Sequence, residues 1–225
     1  MARTVPPAGA ASPDSPASIV DGGPVNGQQV AVKILVSGGF GVGKTTMVGS
    51  VSEIPPVSTE AFLTQASVRT DDIAPVPGKG ATTVAMDFGR ITVDRHVVLY
   101  LFGTPGQERF WFMWDQLARG ALGAVVLVDV RRLVDSFAPI DYFEQTRMPF
   151  VVVVNQFDGA PVYPGEAIRD ALAVGPHVPV LTCDARHRAG AKQVLIALVE
   201  HVSARRQLAA GPAPPPAGLD FAHTQ

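Results

Sequence analysis

The sequence predicts an α/β fold, a three-layer α/β/α sandwich around a mostly parallel, six-stranded sheet. Three observations predict it. Short apolar runs alternate with helix-patterned stretches, the arrangement that packs as strands covered by crossover helices. Ala121 to Val130 (ALGAVVLVDV) and Phe150 to Val154 (FVVVV) are apolar without alternation, as suits central strands buried on both faces. Val30 to Val36 (VAVKILV) runs straight into a glycine-rich turn and then a helical pattern.

The remaining elements follow in order. Gly43 to Ser52 reads as the first helix. A short helix fits Thr59 to Ser67, within a proline-bearing segment from Glu53 to Thr82 that is expected to be mobile without a triphosphate or a partner. Thr83 to Val93 and His96 to Phe102 read as a hairpin turning at Asp94-Arg95. Helices are expected over Gln107 to Arg119, Leu133 to Arg147 and Pro164 to Val174, with a last strand at Val178 to Thr182. In the final helix, Ala191 to Leu208, the residues Ala191, Val194, Leu195, Leu198 and Val202 share one face. In such sheets, ligands bind beyond the carboxyl ends of the strands.

Composition bounds the rest. Of the 225 residues, 47% are hydrophobic and 17% charged, enough for one packed domain over residues 30–208. Residues 1–29 hold five prolines and residues 209–225 four, and both ends read as disordered tails. A net charge of −2 argues against a dedicated nucleic-acid binder and against a polybasic membrane anchor. The single cysteine, Cys183, excludes an intrachain disulfide and a cysteine zinc cluster. No signal peptide, membrane span or prenylation site is read, so a cytoplasmic location is expected, with any membrane recruitment left to partners.

Gly38-Gly39-Phe40-Gly41-Val42-Gly43-Lys44-Thr45 matches G-x-x-x-x-G-K-[ST], placed between a predicted strand and a predicted helix. Glycines allow the backbone to curl so that successive N–H groups face phosphate oxygens, and the helix behind adds its positive end. Lys44 would reach the β- and γ-phosphates, the Thr45 hydroxyl would ligate Mg²⁺, and Thr46 completes the nucleotide-binding run. Asn155-Gln156-Phe157-Asp158 resembles the N-K-x-D guanine motif, with Gln156 in place of lysine. The Asp158 carboxylate can accept from both N1–H and the exocyclic amine of guanine, a donor pair that adenine lacks. Asn155 would brace the loop. The neutral, shorter Gln156 would weaken contact with the base. Asp184-Ala185-Arg186 resembles the S-A-K loop, in which the Ala185 N–H meets guanine O6.

Thr83-Val84-Ala85-Met86-Asp87-Phe88 resembles T-I-G-x-D-F, whose threonine binds Mg²⁺ and senses the γ-phosphate; Thr82 competes for that role. Gly103-Thr104-Pro105-Gly106-Gln107-Glu108 resembles D-T-A-G-Q-E, in which the Gly106 N–H touches the γ-phosphate and Gln107 orients the attacking water. These five motifs occur in order, and the chain is identified as a member of the Ras-like small GTPases. SGGFGVGKTT, TTVAMDFG, LFGTPGQERFWFMW, NQFDGA and CDAR resemble the bacterial MglA-like branch, and within it the GTPases of actinobacterial conservon operons. That resemblance implies a switch binding GTP, GDP and Mg²⁺ that works with a Roadblock/LC7 protein and a sensor-kinase-like protein. Catalytic roles are implied for Gln107, Lys44 and Thr83, and metal contacts for Thr45, Thr83 and, in the outer shell, Asp87.

The departures from the pattern carry physical consequences. Gly103 stands where an aspartate normally holds a Mg²⁺-bound water; Asp87 is a candidate replacement or an ordinary strand residue. Phe40 replaces a glycine and would crowd an arginine supplied from outside, so slow turnover is expected. Arg69, Arg90 or Arg109 could act as an internal arginine. Phe110, Trp111, Phe112, Met113 and Trp114 cannot all face one core, and some are expected to meet a partner. A non-hydrolysing GTP-binding scaffold and an ATP-dependent P-loop enzyme are the alternative functions.

Overall fold

The computed structural model describes residues 24–25, 29–55, 57–63 and 82–210. The strands are β1 (Pro24–Val25), β2 (Gln29–Gly38), β3 (Val57–Leu63), β4 (Thr82–Thr92), β5 (Val97–Gly103), β6 (Ala121–Val128), β7 (Phe150–Asn155) and β8 (Val180–Cys183). The helices are α1 (Lys44–Val51), α2 (Trp114–Ala118), α3 (Phe137–Gln145), α4 (Gly165–Ala171) and α5 (Arg188–Ala210). Two 3₁₀ segments, Glu108–Met113 and Val130–Ser136, lead into α2 and α3.

The sheet order is β3-β4-β5-β2-β6-β7-β8. The six expected strands are β2 and β4–β8. Pairing is parallel from β5 through β2, β6 and β7 to β8. β4 runs antiparallel to β5, and the Asp94 carboxylate closes their hairpin by accepting from the N–H groups of His96 (2.6 Å) and Val97 (2.9 Å).

Period-two alternation divides the core between the two faces of the sheet. Ile34 and Val36 of β2, Val125 and Leu127 of β6, and Val151 and Val153 of β7 face α1 and α5. Leu35, Ala124, Val126, Val128, Phe150 and Val152 face α3 and α4. The central runs of these strands are therefore apolar without alternation because both faces are covered. On α5, the face predicted from the sequence is the buried one, from Ala191 to Val202.

Three regions differ from the sequence reading. The helix expected from Thr59 is a strand: β3 pairs antiparallel with β4 from Val57↔Phe88 to Leu63↔Thr82. Local propensity pointed to a turn of helix, but the free edge of β4 offers a row of backbone partners that local patterning does not reveal. The remainder of that expected helix, residues 64–67, and most of the expected mobile segment lie outside the described residues. The helix expected over Gln107–Arg119 opens as 3₁₀ and turns α-helical only at Trp114. In a 3₁₀ helix, residues three apart eclipse. Phe110 and Met113 share one buried cluster, while the Trp111 and Trp114 rings meet at 5.4 Å. Likewise, the helix expected from Leu133 begins as 3₁₀ with non-helical backbone at Arg132.

The expected tails fall largely on residues outside the description. Pro24 and Val25 pair with Val30 and Gln29, so the sheet starts slightly before the expected domain boundary. α5 runs to Ala210, just past the other boundary. Among the described residues, no helix is long and apolar enough to cross a membrane.

Candidate functional site

The carboxyl ends of β5, β2, β6, β7 and β8 lie along one edge of the sheet, and the strand order reverses at β2. That crevice is where open α/β sheets take ligands. The loop leaving β2 there is the glycine-rich turn. Gly38, Gly41 and Gly43 have φ values of 132°, 74° and 104°, a left-handed region that side chains rarely adopt. A Cβ on Gly38 would come within 2.4 Å of the Leu127 carbonyl oxygen, and one on Gly43 within 2.5 Å of Asn155 Nδ2. Backbone conformation and close packing therefore both require glycine at these two positions.

The loop encloses a cavity of about 360 Å³ lined by Phe40, Gly41, Gly43, Lys44, Thr45, Thr46, Asp87, Thr104, Pro105 and Gly106. Lys44 Nζ donates to the carbonyls of Gly38 (2.9 Å) and Gly39 (2.6 Å), which hold it across the loop. Burial lowers its pKa from 10.5 to about 8, against a smaller upward pull from Asp87. Gly106 closes the far side: a Cβ there would lie 2.7 Å from Lys44 Nζ and 3.0 Å from the Phe40 nitrogen. Phe40 itself is 64% exposed at the mouth.

Asp87 of β4 reaches this cavity, and its carboxylate accepts from the Thr45 hydroxyl at 2.7 Å. A Cβ built on Gly103 would lie 3.0 Å from both Cβ and Oδ2 of Asp87. Asp87 thus fills the space that a side chain at position 103 would take. A hydroxyl and a carboxylate are hard oxygen donors, the kind that suit Mg²⁺. No group of three or more His, Cys, Asp or Glu residues able to hold a metal occurs among the described residues, so a magnesium ion here would draw further ligands from phosphate oxygens and water.

Not every predicted residue meets the cavity. Thr83 lies four residues from Asp87 along β4, about 13 Å at the rise of an extended strand. The Thr83 side chain itself lies outside the described residues. Gln107 is half-buried, follows the last lining residue in sequence and does not itself line the cavity. The loop before it is fixed: Thr104 N donates to the Val36 carbonyl (2.9 Å), Thr104 Oγ1 to Ser37 Oγ (2.9 Å), and Trp114 Nε1 to the Pro105 carbonyl (3.2 Å).

The second half of the site is built on β7 and β8. Asn155 is buried and links three segments. Its Nδ2 donates to the Val42 carbonyl in the glycine-rich loop (2.8 Å), and its Oδ1 accepts from Ala185 N in the loop after β8 (3.0 Å). Gln156 N donates to the Cys183 carbonyl at 2.8 Å, locking the two strand ends together. Asp158 projects from this platform and is 84% exposed. Beside it opens a cavity of about 260 Å³, whose lining includes Asn155, Gln156, Asp158, Tyr163, Asp184 and Arg186. Hydrogen bonds from Arg186 hold the carboxyls of Asp158 and Asp184 below the usual range, and those two carboxylates raise the Arg186 pKa. Cys183 is buried, and that burial raises its thiol pKa.

Some supporting residues carried no motif signal. Arg131 pairs with Asp129 at 2.8 Å and lies 4.0 Å from the centre of the Phe157 ring, steadying the loop that bears Asp158. Asp135, ion-paired with Arg132, packs so closely on the glycine-rich loop that a Cβ on Gly39 would lie 2.6 Å from its own Cβ. Of the arginines weighed as internal fingers, Arg69 and the Arg109 side chain lie outside the described residues. Arg90 stands on β4 and lines neither cavity. Of the aromatic run, Phe110, Met113 and Trp114 are buried, while Trp111 is 36% and Phe112 64% exposed.

Residues 36–205 match the family described as "Conserved hypothetical ATP binding protein". An uncharacterised protein of Methanocaldococcus jannaschii is 30% identical over 129 residues, which cover 56% of this chain and 71% of that protein. Among solved structures, the FeoB G domain of Methanococcus jannaschii aligns with a TM-score of 0.49 and 14% identity, over 77% of this chain and 98% of that one. With the match running from the end of β2 into the body of α5, the chain belongs to this family of conserved hypothetical ATP binding proteins, a nucleotide-binding P-loop family.

Proposed function

We propose that this protein is a guanine-nucleotide switch that hydrolyses GTP slowly to GDP and signals through a Roadblock/LC7-type partner and a sensor-kinase-like complex, as the resemblance to MglA-like GTPases implies. The observation that carries the guanine reading is the Asn155 link. It ties the phosphate loop at Val42 to the loop after β8 at Ala185 and sets Asp158 on the same platform. A nucleotide with its phosphates in the glycine-rich loop would then present its base to a carboxylate that rewards paired N–H donors. Guanine offers that pair and adenine does not.

At the phosphate end, main-chain N–H groups of residues 39–45 and the Lys44 ammonium bind and orient the phosphates. Thr45 would hold a magnesium ion directly and Asp87 through water, and the ion when bound would supply neutralisation of phosphate charge. Slow hydrolysis follows from two features. Gln107 must move to reach the cavity, and Phe40 stands where an arginine from a partner would enter. Exposed Trp111 and Phe112, next to that moving segment, suit a partner that reads its position.

Calorimetric titration with GDP and ADP in the presence of Mg²⁺ tests the reading, with phosphate release from GTP followed over hours. Tighter binding of GDP and slow release are expected. Equal or tighter binding of ADP would favour the ATP-dependent reading that the family description suggests. GDP binding without any phosphate release would leave a scaffold in place of a switch.

A further inference from the structure

Asp158 already has a partner. Arg186 Nη1 donates to Asp158 Oδ2 at 2.9 Å and Nη2 to Oδ1 at 2.9 Å, a fork against both carboxylate oxygens. Guanine would present the same pattern, two parallel N–H donors from N1 and the exocyclic amine. The arginine head thus imitates the edge of the base that Asp158 is placed to read.

Arg186 also has a second anchor. Its Nε donates to Asp184 Oδ1 at 2.9 Å and Oδ2 at 3.1 Å, and its Nη2 to Asp184 Oδ2 at 2.8 Å. Its backbone N–H donates to Asp184 Oδ1 at 2.9 Å, so the arginine and this carboxylate form one local unit. His187 Nδ1 lies 3.1 Å from Asp184 Oδ2 on the other side. The Asp184 side chain is 16% exposed, against 84% for Asp158. Releasing Asp158 therefore leaves the guanidinium paired, and a short swing about Asp184 is enough to recapture it.

We infer that Arg186 is an internal competitor for the guanine-reading carboxylate, holding Asp158 in the nucleotide-free protein, lowering the affinity for guanine nucleotides and hastening their release. The inference rests on the guanine reading above. A base leaving Asp158 gives up its place to a tethered group whose effective concentration is high, so partial release is trapped rather than reversed. Adenine does not need Asp158, so adenine nucleotides bypass the competition. Because the pair is exposed to solvent, its effect is a few-fold rather than large.

The test measures GDP and ADP affinity, and GDP dissociation rate, on the full chain with Mg²⁺ for wild type, Arg186→Ala and Arg186→Lys. For Arg186→Ala, GDP should bind roughly threefold to fivefold more tightly and leave correspondingly more slowly, with ADP unchanged. For Arg186→Lys, which keeps the charge but loses the fork, a smaller shift in the same direction is expected. Unchanged GDP binding by Arg186→Ala would overturn the inference; weaker binding would overturn it and place the arginine on the bound base instead. If wild type binds ADP as well as GDP, the guanine reading itself falls, and the competitor role with it.

Discussion

The two ends of the site are built from different materials. The phosphate end is mostly main chain: a left-handed glycine curl, with Lys44 held by two carbonyls and Asp87 sharing a hydrogen bond with Thr45. The base end is mostly charged side chain near solvent, with Asp158 and Arg186 paired at the surface and Asn155, Cys183 and Ala185 buried beneath them. A rigid curl with a desolvated lysine is suited to any triphosphate. Surface charges that can exchange partners are suited to choosing a base and to letting it go. On the proposed reading, affinity is set mainly at one end and selectivity and release at the other, and the Asn155 hydrogen bonds to Val42 and Ala185 connect them.

The connection can be broken directly. Gly43→Ala would place a Cβ 2.5 Å from Asn155 Nδ2 at a φ of 104°. We expect a stability loss of about 3 kcal/mol, read by denaturant unfolding, together with loss of all nucleotide binding. A variant that folds normally and binds GDP would show that the two ends do not depend on this contact.

The next effect sharpens the phosphate end alone. Asp87→Ala removes the carboxylate beside Thr45 and should weaken Mg²⁺-dependent GDP binding by roughly 10–100-fold while leaving the preference for GDP over ADP intact. Unchanged affinity would remove Asp87 from the metal's surroundings.

The smallest effect is a pH dependence confined to the phosphate end. Burial lowers the Lys44 pKa from 10.5 to about 8 in the free protein. Phosphate contact favours the ammonium and raises that value. Below about pH 8, Lys44 is charged in both the free and bound states and affinity should be flat. Above it, binding must take up a proton, and affinity should fall by up to about tenfold per pH unit. The sign for folding is opposite: a lysine depressed below its unfolded value destabilises the fold most below pH 8, and the empty protein gains stability as pH rises from about 8 to 10.5. An affinity that stays flat to pH 9.5 would show that Lys44 is not desolvated in solution.

The same contrast explains what could be read from the amino-acid sequence. The glycine curl is encoded locally, because Gly38 and Gly43 are needed at their own backbone angles and their spacing to Lys44 is fixed within one loop. The central strands were legible for the same reason, each being apolar on both faces. Strand β3 was not, since its pairing with β4 joins Val57 to Phe88 and Leu63 to Thr82, residues far apart in sequence, and local propensity gives no hint of it. The 3₁₀ segment at Glu108–Met113 was read as α-helix because both periods place apolar residues three apart. At the base end, the motif positions of Asp158 and Arg186 were visible, but their mutual pairing was not. It arises only where two loops 28 residues apart meet above β7 and β8.

The central claim is that Asp158 selects guanine on a platform shared with the phosphate loop. The most direct measurement is the ratio of GDP to ADP affinity in Asp158→Ala against wild type, by calorimetry with Mg²⁺. The account predicts that wild type prefers GDP and that the substitution reduces this preference by roughly 100-fold or to none, while ADP affinity stays the same. A GDP preference that survives the loss of the carboxylate would contradict it.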